Sequence, residues 1–293
     1  MKQRPLGSTG IMVSLLGLGA GSVGDASLSE RDAEFLLKGA LDLGISLIDT
    51  APSYGSSEER IGKYLREDRS RFTLSTKCGY GVPGVPDWSP ECIRIGVDLA
   101  LERLRTDVID VMHFHSCPVE TLVTPGVLEA LEAAVQAGKV RVAAYSGEND
   151  ALAWAIESDR FGVIQRSVNL CDQKAFAGAP ETPGGRAIGL LAKRPLANAA
   201  WDFAFRPERE DVAVYWDRLK ALGLNLEAIP PQEFALRFAA FAPGVSSCLV
   251  GTRSLTRLYE LADGLSRGPL PETVIQHTRA SYERVGERWP GLV

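Results

Sequence analysis

Eight short apolar runs, each followed by a helical or helix-capable segment, constrain the fold of this chain more than any other feature. They occupy residues 15–20, 46–51, 73–78, 108–114, 141–146, 163–168, 189–194 and 246–251. Runs of this length between turn signals read as strands buried on both faces of a parallel sheet. Eight β-then-α units in one unbroken chain predict an α/β fold, a (β/α)8 barrel, forming one domain over residues 1–293.

Several helices announce their ends. Ser29 with Asp32 fits a capping box, and Ala33, Leu36, Leu37, Ala40 and Leu41 then repeat at helical spacing up to Gly44. Ser89 as N-cap with Pro90 at the first helical position opens a second helix, with Ile93, Val97, Ala100, Leu101 and Leu104 on one face. Residues 127–137 stop at Gly138, and residues 255–262 stop near Gly264. The sixth unit is the least helix-like: residues 175–186 are rich in Gly and Pro, which leaves room for a short helix near Gly185. Residues 3–6 and 11–14 flank Gly7-Ser8-Thr9-Gly10, a hairpin predicted to cap the amino-terminal mouth of the barrel. Residues 272–288 read as an extra C-terminal helix.

Composition narrows the partners. The net charge is −5, from 32 Lys and Arg against 37 Asp and Glu, and no basic run points to nucleic acid or an anionic membrane. The five cysteines show no CxxC spacing, so free thiols in a reducing compartment are expected. The first residues lack the apolar core of a signal peptide, and no apolar run is long enough to span a bilayer. The expectation is a soluble, cytoplasmic protein; its oligomeric state is not legible.

Chemistry gathers at the strand ends, where such barrels place it. Asp49 lies near the carboxyl end of the second run and Lys77 near that of the third, His115 directly follows the fourth, and Tyr54 lies on the loop beyond Asp49. Neighbouring strands lie about 4.8 Å apart, so these groups can meet on one rim. A phenol becomes a proton donor when its pKa falls from about 10 towards neutrality, and a cation beside it favours the phenolate. Asp49 would keep Lys77 charged and in place, while the imidazole orients a substrate oxygen. This is equipment for protonating an oxygen rather than for attack by a serine or cysteine nucleophile.

With those residues in order, the chain resembles the aldo-keto reductases over nearly its whole length. Arg4-Pro5-Leu6-Gly7-Ser8-Thr9-Gly10 with Leu16-Gly17-Leu18-Gly19 is similar to that family's hairpin and first strand. Asp49-Thr50-Ala51-Pro52-Ser53-Tyr54-Gly55 resembles its signature segment, Ser75-Thr76-Lys77 its lysine strand, and Ile109-Asp110 with His115 its histidine strand. The resemblance implies a catalytic tetrad of Asp49, Tyr54, Lys77 and His115, with Tyr54 the general acid in carbonyl reduction. For the cofactor it implies Gly19 and Ala20 at the first strand end, and Ser146 and Gln165 on the nicotinamide carboxamide. It also implies Lys193, Arg194 and Leu196 after the seventh strand, with Gly251, Thr252, Arg253, Arg257 and Glu260 at the adenosine end. Three positions depart from the family: Gly147 stands for an asparagine, Lys193 for a stacking tyrosine, and Leu261 for another asparagine. Lys193 or Arg194 would then reach a phosphate instead. Two arginines at a helix amino end suit a 2′-phosphate, which favours NADP(H) with NAD(H) also possible. The substrate is expected to be a small carbonyl compound or the corresponding alcohol.

Other readings compete. Gly19-Ala20-Gly21-Ser22-Val23-Gly24 fits the dinucleotide fingerprint of a two-domain dehydrogenase, but the following helix starts only at Ser29. His113-Phe114-His115 suggests a zinc pair, yet only His277 remains as a further histidine, so no metal is expected. His113 and His115 point the same way along a strand, and His113 would support its neighbour from one layer deeper. Trp88 and Trp201 either wall a substrate pocket or pack their loops, and Cys117 is a bystander. The short loop 80–89 and the short tail after Trp289 suggest an open pocket. The same residues allow two other functions: an NAD-dependent sugar or polyol dehydrogenase, and a non-catalytic NADPH-binding subunit that senses redox state.

Overall fold

A closed barrel of eight parallel strands, seen in a computed structural model, covers the eight predicted runs; the structure describes residues 1–224 and 229–293. The hairpin comes first, β1 (Gln3–Pro5) pairing antiparallel with β2 (Met12–Ser14). The barrel strands are β3 (Leu16–Gly19), β4 (Leu47–Asp49), β5 (Thr73–Cys78), β6 (Ile109–His115), β7 (Val140–Ser146), β8 (Val163–Ser167), β9 (Gly189–Lys193) and β10 (Val245–Val250). They pair in sequence order, and β10 closes on β3.

Outside them run α1 (Glu30–Asp42), α2 (Ser57–Leu65), α3 (Pro90–Leu104), α4 (Val119–Leu122), α5 (Val127–Gln136), α6 (Asn149–Glu157), α7 (Glu210–Leu222), α8 (Pro231–Ala240), α9 (Leu255–Ser266) and α10 (Glu272–Val285). The cap signals act as read: Ser29 accepts from the Asp32 amide and Ser89 from the Cys92 amide, each satisfying a donor the helix leaves open. Where the spacing fell short, backbone detail decided. The helix expected to stop near Gly264 runs through Ser266, because the left-handed turn falls at Gly268, at φ +78, and not at Gly264. The short helix expected near Gly185 is a 3-10 turn at Lys174–Ala177, and Gly185 sits in a left-handed turn closed by an Glu181–Ala187 bridge.

Two apolar layers hold the barrel. Inside, the hairpin residues Leu6, Ile11 and Val13 join Leu47, Val111, Val163, Leu191 and Leu249, so the hairpin plugs the amino-terminal mouth as predicted. Arg4 fastens it by donating to the carbonyls of Ala240 and Val245 at 2.6 and 2.7 Å. Between barrel and helices lies a larger layer, to which α1 brings Ala33, Leu36, Leu37, Ala40 and Leu41. Burying each leucine contributes about 1.5–3 kcal/mol, and this burial holds the strand ends rigid enough to carry chemistry.

Candidate active site

Strand register assembles the site. Asp49 on β4 lies beside Ser75 on β5, Lys77 on β5 beside His113 on β6, and His115 on β6 beside Ser146 on β7, which lies beside Gln165 on β8. His115 is the last residue of its strand rather than the first beyond it. These strand ends open into a cleft of about 300 Å³ lined by Asp49, Tyr54, His115, Ser146, Gln165, Lys193 and Gly251. A larger groove of about 730 Å³ lies between α1 and α9 on the outer ring of helices, away from the strand ends.

At the floor, Lys77 donates to Asp49 Oδ2 and to the Thr50 carbonyl, both at 2.7 Å. Ser75 donates to Asp49 Oδ1 at 2.7 Å. That hydroxyl has spent its only proton, so the 3.1 Å contact with His113 Nε2 has the imidazole donating to Ser75. His113 therefore supports Asp49 through Ser75, and not its neighbour His115 as expected. Burial is the largest single influence and pushes both members of the Asp49–Lys77 pair towards their neutral forms, but the partner's charge and the surrounding charges and hydrogen bonds together outweigh it: Asp49 stays below the usual carboxylate range and Lys77 above the usual ammonium range. Lys77 meets Tyr54 through the ring, with Nζ 5.0 Å from its centroid.

His115 stands edge-on to Tyr54 with ring centroids 6.2 Å apart. Burial, reinforced by the Lys77 charge, pushes its pKa down to about 3, so the ring is neutral at physiological pH. His113 is likewise pushed down to about 3, chiefly by burial.

The nicotinamide-side candidates also converge. Ser146 donates to Gln165 Oε1 at 2.8 Å, while Gln165 Nε2 is buried with no partner among the described residues. Gly147 cannot be the family's asparagine here, because a Cβ would fall 2.6 Å from the Tyr145 ring, and Tyr145 is fixed by donating to the Cys117 carbonyl at 2.7 Å. Lys193 lines the cleft, 3.5 Å from the buried Glu148 carboxylate, and burial lowers its pKa. Arg194 lines the same cleft and donates to the Leu292 carbonyl at 2.5 Å. Leu196 packs into the apolar layers, and Ala20 is fully buried with its carbonyl taken by Ser57, so neither side chain faces the cleft.

At the other end, Gly19, Gly21 and Ser22 line the cleft opposite Gly251, and Ser22 donates to the Thr252 carbonyl at 2.8 Å. The glycine run is a 3-10 turn at Ala20–Gly24. A Cβ on Gly24 would strike the Tyr54 carbonyl, so this glycine lets the turn press against the tyrosine loop. Arg253 pairs with Asp25 at 2.5 Å and donates to Ser27 at 3.0 Å; Arg257 pairs with Glu260 at 3.5 Å.

Sequence reasoning missed three participants. Tyr80 meets His115 Nδ1 through its hydroxyl, Glu148 holds Lys193 and accepts from the Ser167 amide, and the tail returns to the rim. Gly291 donates to Asn149 at 2.8 Å and Val293 lines the cleft, so the mouth is narrower than the short tail suggested. Trp88 packs on Tyr80 and Phe114, whereas Trp201 lines a separate pocket with Phe203 and Trp216. Burial raises the Cys117 thiol to about 12, which keeps it inert.

A parallel barrel with a buried acid–lysine pair beneath a tyrosine and a neutral histidine describes a class of oxidoreductases, and comparison with known proteins agrees. The Aldo/keto reductase family model matches residues 15–283, and the chain belongs to that family. It is 37% identical over 280 residues to L-galactose dehydrogenase of Arabidopsis thaliana, covering 88% of this chain and 86% of that one. The NADH-specific methylglyoxal reductase of Escherichia coli is 30% identical over 197 residues, covering 59% of this chain and 60% of its own. The holo form of aldo-keto reductase AKR11C1 from Bacillus halodurans superposes with a TM-score of 0.82 at 26% identity, over 96% of each chain. The family's nicotinamide-dependent oxidoreductase chemistry is therefore the frame for this site. Among the described residues, no helix is long and apolar enough to cross a membrane.

Proposed function

We propose that residues 1–293 act as one catalytic domain that reduces an aldehyde or ketone with NAD(P)H, Tyr54 giving its proton to the substrate oxygen. The carrying observation is the convergence of Tyr54, the Lys77–Asp49 pair and neutral His115 in the cleft that also holds an unpaired Gln165 amide. A buried donor left unpaired costs about 1–3 kcal/mol, so Gln165 Nε2 is suited to a carboxamide oxygen, with Ser146 fixing its orientation. A nicotinamide bound there supplies the hydride.

The remaining work falls to the chain. Tyr54 protonates the developing alkoxide, and the Lys77 charge stabilises the phenolate left behind. Asp49 keeps Lys77 protonated and in place, while His115 donates an N–H to the substrate oxygen. Arg253 and Arg257 support NADP(H) as the preferred cofactor, and their partners Asp25 and Glu260 narrow the margin over NAD(H).

Tyr54→Phe tests the mechanism: kcat for carbonyl reduction should fall by about 10³-fold or more while the NADPH dissociation constant stays within twofold. Retained turnover would sink the proton-donor role. The likeness to L-galactose dehydrogenase favours a second reading, the same machinery oxidising a sugar with NAD+. Comparing aldehyde with NADPH against aldose with NAD+ separates the directions. Cofactor binding without turnover of either would support a sensing subunit.

A further inference from the structure

The loop after β5 carries a group that the tetrad does not include. Gly79, at φ +119, turns the chain out of the strand, and the Trp88 ring occupies the space its side chain would need. Trp88 donates its backbone N–H to the Gly79 carbonyl at 2.6 Å and packs edge-on against Phe114, the residue before His115. Its ring centroid lies 6.3 Å from that of Tyr80, which is thereby propped over the cleft. The Tyr80 ring is tilted 34° to the His115 ring, with centroids 5.5 Å apart, and its hydroxyl meets His115 Nδ1. The same hydroxyl lies 2.8 Å from Ser53 Oγ, on the loop that carries Tyr54.

Proton bookkeeping orders this chain. A neutral imidazole has one N–H and one lone pair, so Nδ1 either donates to Tyr80 or accepts from it. A phenol is a much stronger acid than an alcohol, and an imidazole nitrogen a better acceptor than a serine oxygen. The favoured arrangement has Ser53 donating to the Tyr80 oxygen and Tyr80 donating to His115 Nδ1. The ring proton then resides on Nε2.

We propose that Tyr80 is a positioning residue for the reaction: by donating to His115 Nδ1 it fixes the Nε2–H tautomer and leaves that N–H free for the substrate oxygen. The proposal rests on the reductase reading for its kinetic consequence only, since the tautomer can be observed without turnover. The chain has three histidines, His113, His115 and His277, so ¹⁵N-histidine NMR of the full-length protein, assigned with His115→Gln, reads each ring directly.

The expected spectrum shows His115 protonated on Nε2 alone in the wild type, with and without NADPH. Tyr80→Phe should give a mixed or Nδ1–H ring and lower kcat about tenfold, with NADPH affinity within twofold, a fraction of what a positioned acid–base group contributes. A wild-type His115 protonated on Nδ1 overturns the proposal without any variant. So does a Tyr80→Phe protein that keeps the Nε2–H tautomer with kcat within twofold. If Tyr80→Phe abolishes turnover while Tyr54→Phe retains it, Tyr80 is the proton donor and both the positioning role and the assignment to Tyr54 fall. If the wild type turns over no carbonyl yet shows the expected tautomers, the reductase reading fails and the Tyr80 contact stands.

Discussion

At the Tyr54 end of the cleft, Lys77 meets Asp49 with 1% and 6% of their side chains exposed; at the Arg253 end, Arg253 meets Asp25 with 49% and 38% exposed. Both are carboxylate–cation contacts, and they differ in what surrounds them. The first is closed in by strands, so neither charge can exchange its partner for water, and Ser75 and the Thr50 carbonyl take up remaining hydrogen-bonding capacity. The second is in solvent and can open at little cost. Removing one partner of a buried pair leaves a stranded charge, whereas an exposed pair exchanges its partner for water readily.

The largest contrast should come from Lys77→Met. It leaves Asp49 buried without its counter-charge, so beyond the loss of reduction we expect a stability loss of about 3–5 kcal/mol, read from urea unfolding midpoints. A loss below 1 kcal/mol would erase the distinction between the two ends. Adding Asp49→Leu to Lys77→Met should recover part of the stability and none of the activity.

Acidity probes the same end. His113 and His115 are depressed to about 3 in the folded protein, against about 6.5 in an unfolded chain. Between those values the unfolded chain binds more protons, so stability rises with pH and is lost as pH falls below about 6.5. The slope should approach about 1.4 kcal/mol per pH unit for each histidine. Asp49, lowered in the fold, adds to this loss at still lower pH. Folding free energies unchanged from pH 7 to pH 5 would show that the histidines are not held neutral by the fold.

The smallest effect belongs to the exposed end. Asp25→Asn removes the ion pair to Arg253 and should raise the preference for NADPH over NADH several-fold in fluorescence titrations, with the urea unfolding midpoint nearly unchanged. An unchanged ratio would remove Asp25 from cofactor selection.

Much of the fold was readable because strands and helices carry their own periodicity. Ser29, Ser89 and Pro90 act in the structure as their types suggest; Asp49 and Ser146 end their strands, and Lys77 stands one residue before the end of its own. The gathering of Asp49, Lys77 and His115 followed once the strands were placed, since register carries each strand end to the same rim. The Gly- and Pro-rich sixth unit was less legible, because such residues permit many backbone paths and distant contacts choose among them. Lys193 was unreadable for a related reason: its partner Glu148 follows a different strand, and only closure of the barrel brings the two together.

By itself, then, the order of residues determined the eight units and the hairpin, and it marked Asp49, Tyr54, Lys77 and His115 as candidates, because these depend on local periodicity and strand ends. Tertiary structure alone decided the partners. It turned Lys193 inward, seated Tyr80 on His115, linked His113 to Asp49 through Ser75, and brought residues 291–293 back to the rim. Hydrogen bonds and ion pairs act over a few ångströms between groups far apart in the chain, and only the packed barrel sets those distances.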